Sequence, residues 1–95
     1  MRAIIINPKD NVANALANIS KGEKVKVRCD SEKMEIQVKQ NIRFGHKFAI
    51  KSIKKGEKIV KYGEIIGQAS RDIKIGEHVH VHNVESLRGR GDLNK

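Results

Sequence analysis

The chain has 95 residues, a formal net charge of +9, a single cysteine and 3% aromatic residues. This length predicts one small domain, too small to hold an active-site cleft between two lobes of its own. No apolar run approaches about 18 residues and nothing resembles a signal peptide, which predicts a cytoplasmic protein without a membrane span. Cys29 has no second thiol with which to form an internal disulfide or a cysteine zinc motif.

The positive charge predicts an anionic partner, because a positive field attracts nucleic acid, acidic metabolites and acidic protein surfaces alike. A lysine-rich surface typical of thermophilic proteins is an equally open interpretation of the charge alone. Phe44, Phe48 and Tyr62 offer little for base stacking, and the lysines are spread along the chain. Nucleic-acid binding is therefore the least favoured of these functions.

The first predicted element is a helix over residues 11–19. Four apolar residues in this stretch follow helical spacing, namely Val12, Ala15, Leu16 and Ile19. Asn7 is a suitable cap, Pro8 a suitable first helical residue, and Asp10 adds negative charge to the first turn. The sequence predicts a turn at Gly22 after this helix.

Three similar segments, residues 19–25, 53–59 and 73–79, each place an isoleucine three residues before a Gly-Glu pair. Each segment predicts a turn that leads into a half-buried strand. Their unequal spacing excludes a solenoid of fixed period. Short β-branched stretches between them predict a mainly β domain over residues 1–85. Residues 86–95 lack periodicity and predict a flexible tail or linker.

The run His78-Val79-His80-Val81-His82-Asn83 predicts a strand with three imidazoles on one face and two valines toward the core. In the other two repeated segments, Lys24 and Lys58 occupy the position of His78. This equivalence with two lysines predicts that His78 is solvated. It favours His80 and His82 as the functional histidines. The pair could bind a metal or act in catalysis, and the alternative is a pair of inert exposed histidines.

A second group is Gly45-His46-Lys47, which supplies a base and a fixed positive charge suited to a carboxylate. The segment 61–64, Lys-Tyr-Gly-Glu, is interpreted mainly as a structural turn. Each of these short segments is weak evidence for a function when taken alone. Their order along the chain is more specific.

Taken together, five segments resemble the SAF-type N-terminal domain of the altronate and galactarate dehydratase family, which includes the small subunit of sulfolactate sulfo-lyase. The segments are residues 10–13, 45–47, 61–67, 80–83 and the closing Arg-Gly-Arg-Gly-Asp of residues 88–92. The resemblance implies a β-clip fold of short strands with little helix. It also implies an acidic sugar substrate and elimination of water, or of sulfite in the sulfo-lyase, with a divalent metal that is usually iron.

The resemblance suggests roles for six residues. The predicted roles are acid or base for His46 and His80, and substrate binding for Lys47, Lys61, His82 and Asn83. His80 and His82 are also the predicted metal ligands. These roles suit an elimination in which a base removes the α proton while cationic groups and a metal stabilise the charged carboxylate.

The large domain of the full-length family is not found in these 95 residues. The expectation is therefore a small subunit of a dehydratase or related lyase that is inactive alone and completes a site with a separate large catalytic subunit. Residues from Ser86 onward would then form a docking segment. The alternative is a non-catalytic β-clip module that binds carbohydrate or a protein partner.

Overall fold

A computed structural model describes residues 2–29 and 32–87 of the chain. Within these ranges, nine strands carry the fold: β1 (Ala3–Ile4), β2 (Val12–Ala15), β3 (Lys24–Cys29), β4 (Glu32–Gln37), β5 (Lys47–Ala49), β6 (Lys58–Lys61), β7 (Glu64–Ala69), β8 (His78–Val79) and β9 (Val84–Glu85). Residues 2–29 and 32–86 contain no helix. The predicted mainly β class is confirmed, and most of the predicted tail, from residue 88 onward, lies outside the described residues.

The nine strands pair antiparallel and form three small sheets. The largest has the order β1-β2-β5-β8, β3 pairs with β4, and the third sheet has the order β6-β7-β9. One core cluster, which includes Ala13 and Phe48, covers one side of the largest sheet. A second, which includes Val12 and Ala49, covers the other side. The central strands β2 and β5 are therefore buried on both faces.

The predicted helix over residues 11–19 is wrong, because this stretch contains β2. All four residues from Val12 to Ala15 are buried, whereas Leu16, which the helix would have placed on its apolar face, is 45% exposed. A strand covered on both faces does not alternate apolar and polar residues, so its pattern cannot be told from that of a short buried helix. Pairing with β1 and β5 decided the conformation.

The residues interpreted as a helix cap form a single turn instead. The backbone N–H of Asp10 donates to the carbonyl of Asn7, and that of Lys9 donates to the Asn7 side chain. The Asp10 carboxylate is buried and accepts the backbone N–H groups of Asn7 and Gly63. Asp10 thus joins this first turn to the tight turn between β6 and β7. Among the described residues, no helix has the length and apolar character that crossing a bilayer requires.

The repeated turn occurs four times in the described part of the chain, once more than the sequence predicted. Gly22, Gly45, Gly56 and Gly76 adopt φ angles of 88°, 85°, 89° and 88°. After each glycine, the next residue donates its N–H to the carbonyl three positions earlier, at 2.8 to 3.0 Å. We call these four turns the glycine corners. The three predicted corners are confirmed, and the corner at residues 42–48 was missed because it lacks the glutamate that follows the glycine elsewhere.

The corners show that the chain repeats one structural unit. Residues 15–24 and 49–58 read ALANISKGEK and AIKSIKKGEK, with six of ten positions identical. Isolated antiparallel bridges join Ile19 to Ile42 and Ile53 to Ile73, so each bridge joins two glycine corners. Residues 42–48 in the first unit therefore correspond to residues 73–79 in the second. This correspondence makes His46 equivalent to Glu77, and Lys47 equivalent to His78.

Two glycine substitutions separate backbone strain from steric overlap. Gly56→Ala and Gly76→Ala both place a side chain at positive φ, which costs about 1 to 2 kcal/mol. A Cβ at residue 56 meets nothing within 4 Å, whereas one at residue 76 would overlap the carbonyl oxygen of Gln37. We expect Gly76→Ala to lower the free energy of unfolding by at least about 1 kcal/mol more than Gly56→Ala. Urea denaturation of both variants measures the difference, and equal losses would contradict it.

Candidate histidine and lysine site

The predicted histidine strand ends early. β8 stops at Val79, and residues 80–83 form a turn. The buried Asn83 holds this turn, because its Oδ1 accepts the backbone N–H of His80 at 3.0 Å and its Nδ2 donates to the carbonyl of His78 at 2.8 Å. Val79 is buried as predicted. Val81 is 81% exposed, so its predicted position in the core is wrong.

The turn brings three imidazoles together. The ring centroids of His46, His78 and His80 lie 4.6 to 5.3 Å apart, in stacked arrangements. Their potential ligand nitrogens all lie within 4.8 Å of one another. His46 Nδ1 and His78 Nε2 are 2.9 Å apart and share a hydrogen bond. A fully extended strand would have separated alternate side chains by about 7 Å. We call these three residues the histidine triad.

His46 departs from the structural rule of the glycine corners. In the other three, the glutamate after the glycine accepts the backbone N–H of the residue three positions earlier, at 3.2, 2.6 and 2.6 Å. His46 occupies that position in the remaining corner, and its ring hydrogen-bonds to His78 instead. A residue that departs from a local rule kept in the three other corners is a candidate for a role other than holding the turn. Aligning residues 42–48 with the repeat would have revealed this from the sequence.

Sequence reasoning missed His78, which it placed in solvent. The structure half-buries this residue, and its backbone N–H donates to the Gln40 side chain. Burial, followed by the positive charges that His46, His82, His80 and Lys47 can carry, lowers the pKa of His78 to about 4. The pKa of His80 is lowered as well, first by burial and then by His46. Neutral imidazoles with free lone pairs are the form that binds metals.

Two lysines extend the site. Lys47 is half-buried at the start of β5, next to His46. Burial lowers its pKa first, and the nearby positive charge of Lys61 lowers it further. The Lys61 ammonium lies 4.9 Å from the centroid of the Tyr62 ring. The positive charge of both lysines favours an anion near Lys47.

The site opens into a shallow depression of about 300 Å³. Lys47 and His80 contribute its cationic and imidazole groups, while Ile66, Val81 and Val84 form apolar walls. The depression is open to solvent, so a ligand bound there would be covered on one side only.

The structure therefore brings three of the six predicted site residues together: His46, Lys47 and His80. Lys61 lies near enough to Lys47 to lower its pKa, and its ammonium packs over the Tyr62 ring. His82 is exposed at the rim, with its ring centroid 5.3 Å from that of His78. Asn83 is 4% exposed, and both polar atoms of its amide are hydrogen-bonded to the backbone of the turn. The chemical roles given to these residues stay predictions. Asn83 has in addition an observed part in positioning His78 and His80.

Fold and site together define a small, mainly β domain with an open cluster of histidines and lysines. The chain belongs to the altronate/galactarate dehydratase SAF domain family, whose family model matches residues 1–87. The resemblance drawn from the five segments is thereby confirmed.

Curated relatives are lyases of very different lengths. The chain is 51% identical over 83 residues to altronate dehydratase of Bacillus subtilis, and 42% identical over 86 residues to that of Escherichia coli. These matches cover 87% and 90% of this chain but 16% and 17% of the relatives, so the chain spans about a sixth of their length. It is also 39% identical over 62 residues, 65% of this chain, to (2R)-sulfolactate sulfo-lyase subunit alpha of Paracoccus pantotrophus, and covers 92% of that subunit.

The lowered pKa of His78 predicts an imidazole that stays neutral in mildly acidic solution. In the metal-free chain, its NMR titration should be centred at about pH 4, against an ordinary value of 6.5. His46→Ala should move the titration toward 6.5, because it opens the cluster to water and removes one neighbouring charge. A midpoint near 6.5 in the unsubstituted chain would contradict the burial argument.

The same shift sets the direction of the pH dependence of stability. The unfolded chain binds more protons than the folded chain between about pH 4 and 6.5, because folding lowers the pKa of His78. The contribution of His78 to stability is therefore complete above pH 6.5 and is lost as the pH falls toward 4. Urea denaturation across this range, compared with His78→Gln, measures it.

Proposed function

We propose that this domain is the small substrate-binding and metal-binding component of a sugar-acid dehydratase or a related carbon–oxygen or carbon–sulfur lyase. It adopts the β-clip fold and completes an active site with a separate large catalytic chain. The observation that carries the proposal is the histidine triad beside Lys47, formed where His46 replaces the structural glutamate of the glycine corners.

The histidine triad fits a divalent metal. Metal–nitrogen bonds of about 2.1 Å place neighbouring ligand atoms roughly 3 to 4 Å apart. The triad nitrogens lie within 4.8 Å of one another, so small side-chain rotations bring all three into range. The lowered pKa values of His78 and His80 keep both rings neutral and ready to bind. Imidazole suits iron and zinc alike, and iron is the metal that the family resemblance implies.

The lysines fit the carboxylate of the acid. Elimination breaks the α C–H bond and the bond to the leaving group on the next carbon, and a carbon–carbon double bond forms between them. Negative charge spreads onto the carboxylate as the α proton leaves. The Lys47 ammonium would stabilise that charge, and Lys61 would add positive charge nearby. A bound divalent metal would supply Lewis-acid stabilisation of charge on substrate oxygens. Either His46 or His80 serves as acid or base only while its ring is free of metal.

A large partner chain suits the open geometry of the site. The depression exposes Lys47 and His80 to solvent, whereas elimination chemistry gains from a site that excludes water. A relative almost fully covered by this match is named a subunit, and the altronate dehydratases carry the match within a much longer chain. Both matches support a role for this domain as one part of a larger lyase.

Metal titration of the full chain tests the histidine triad. We expect Co²⁺ to bind with a d–d absorption spectrum typical of nitrogen ligation. His46→Gln should weaken binding by about 100-fold or more, because it removes a ligand. The side-chain oxygen of the introduced glutamine can take over the acceptor role that glutamate plays in the other corners, so the fold should persist.

His82→Gln is the matched control for the metal titration, since it removes a nearby imidazole from outside the histidine triad. Co²⁺ affinity should stay within about threefold of the unsubstituted chain. If His82→Gln abolished binding while His46→Gln did not, the ligands would be the His80 and His82 pair predicted from the sequence.

A chimera tests the lyase role. Replacing the matching segment of Bacillus subtilis altronate dehydratase with this chain should preserve altronate dehydration, because 51% identity over 83 residues leaves the core and site compatible. Introducing Lys47→Met into the chimera should raise KM for altronate by about tenfold or more through loss of a charged hydrogen bond. Lys33→Met, on the exposed side of β4, is the control and should leave KM unchanged.

A folded but inactive chimera would argue against the lyase role and favour a binding module without catalysis. Circular dichroism and gel filtration establish folding before activity is assayed, so misfolding is not mistaken for lost chemistry.

A further inference from the structure

Asn14 has a polar side chain in an unusual position. It lies in β2 and is 8% exposed, and its Nδ2 has no hydrogen-bond partner within residues 2–29 and 32–87. A buried N–H without an acceptor destabilises a fold, and native proteins retain few such groups. Asn83 and Asn11 provide the contrast, because both of their amides are fully engaged with backbone groups.

The sheet register places Asn14 directly beside Lys47. The two residues are paired in the β2–β5 ladder, so their side chains project from the same face of the sheet. Their outer register partners are Ile4 and Val79, whose apolar side chains offer no acceptor. A buried carboxamide donor is therefore the ladder neighbour of Lys47, and Lys47 in turn lines the depression. Both groups are suited to a ligand that only accepts hydrogen bonds.

We propose that Asn14 and Lys47 together bind the carboxylate of the substrate acid, with the Asn14 amide donating to one oxygen and the Lys47 ammonium to the other. The inference rests on the proposed function and adds a binding residue to it. Two donors of different geometry fix the orientation of the carboxylate plane, which a single flexible lysine cannot do. On this proposal, Asn14 Nδ2 lacks an acceptor only because no ligand is bound, and a carboxylate oxygen of the ligand is its acceptor.

A cation does not fit this position. Ammonium and amide N–H groups are donors, and a metal needs lone pairs. The carboxylate subsite is therefore distinct from the histidine triad, and chelators should leave it intact.

The test uses the full chain in the presence of EDTA, with altronate as the acid and altritol as its neutral counterpart. Altronate should raise the thermal unfolding midpoint and altritol should not. Asn14→Leu should unfold at the same temperature as the unsubstituted chain or higher without ligand, because it removes a buried unpaired donor. Its altronate affinity, measured by NMR titration, should fall about tenfold. Asn14→Ala has a side chain too small to block the site sterically, and it should lose altronate affinity to the same extent.

Asn11→Ala is the matched control, because the Asn11 amide is paired with the backbone of Lys58 and Val60. It should lower the unfolding temperature and leave altronate affinity unchanged. The proposal is overturned if Asn14→Leu and Asn14→Ala lower stability while altronate affinity stays the same, since Asn14 would then be structural. Equal stabilisation by inorganic phosphate would also overturn it, by showing a general anion site.

Absence of altronate-dependent stabilisation in both the full chain and the chimera would overturn the carboxylate site as well. If the chain did not bind Co²⁺, the altronate-binding result would still stand, because EDTA removes metal from that measurement. An active chimera whose KM is unaffected by Asn14→Ala would overturn the inference while supporting the lyase role.

Discussion

The pairing of β5 between β2 and β8 is the constraint on which the site depends. Phe48 and Ala49 in this three-residue strand are fully buried, each in a different core cluster. Burial on both faces fixes the strand tightly, and its first residue is Lys47. The neighbouring strand β8 then brings His78 to the site, and β2 pairs Asn14 with Lys47. The buried end of this short strand thus holds the candidate site at its other end, and precise sites are usually supported by rigid elements in this way.

The repeated corner explains why the histidine triad lies at this end of the molecule and not at the equivalent corners. Each glycine corner depends on the positive φ of its glycine. In three of the four, a hydrogen bond to the glutamate side chain also stabilises the turn. His46 gives up that stabilising contact, and the equivalent positions in the other corners keep it. Departures from a local structural rule concentrate at functional sites, where stability is exchanged for reactivity. The second unit brings His78 and His80 to the same place, so the site forms at the junction of the two units.

Local rules predicted much of the fold, whereas contacts between distant residues decided what the sequence missed. An isoleucine followed three residues later by Gly-Glu was enough to predict three corners and the strands after them, because that chemistry is contained within one turn. The strand β2 was mistaken for a helix because Val12 and Ala15 fit either period, and only the partners on both sides of the strand resolve the ambiguity.

The site shows the same limit. His46, Lys47 and His80 were recognised from residue type and order, but their grouping with His78 depends on the Asn83 turn, whose hydrogen bonds no periodicity reveals. Comparing His78 with Lys24 and Lys58 misled for a physical reason. Corresponding positions in a repeat share backbone geometry but not surroundings, and of these three positions it is His78 that faces another imidazole across a sheet. Asn14 carries no signal in sequence, since its unpaired amide becomes visible only when the neighbouring side chains are in place.

The electrostatics of the cluster give a reason for the domain to work beside a larger chain. Imidazoles and ammonium groups are crowded together. Partial burial, followed by their mutual repulsion, already lowers the pKa values of His78, His80 and Lys47. An anionic ligand offsets this repulsion, and the offset grows as water is excluded, because charges interact more strongly in a medium of low dielectric. The apolar walls formed by Ile66, Val81 and Val84 border the open side of the depression. On the proposed function, a lyase chain that covers these walls strengthens binding of the acid and shields the reaction in one step. The small domain then contributes concentrated positive charge, and the larger chain contributes enclosure.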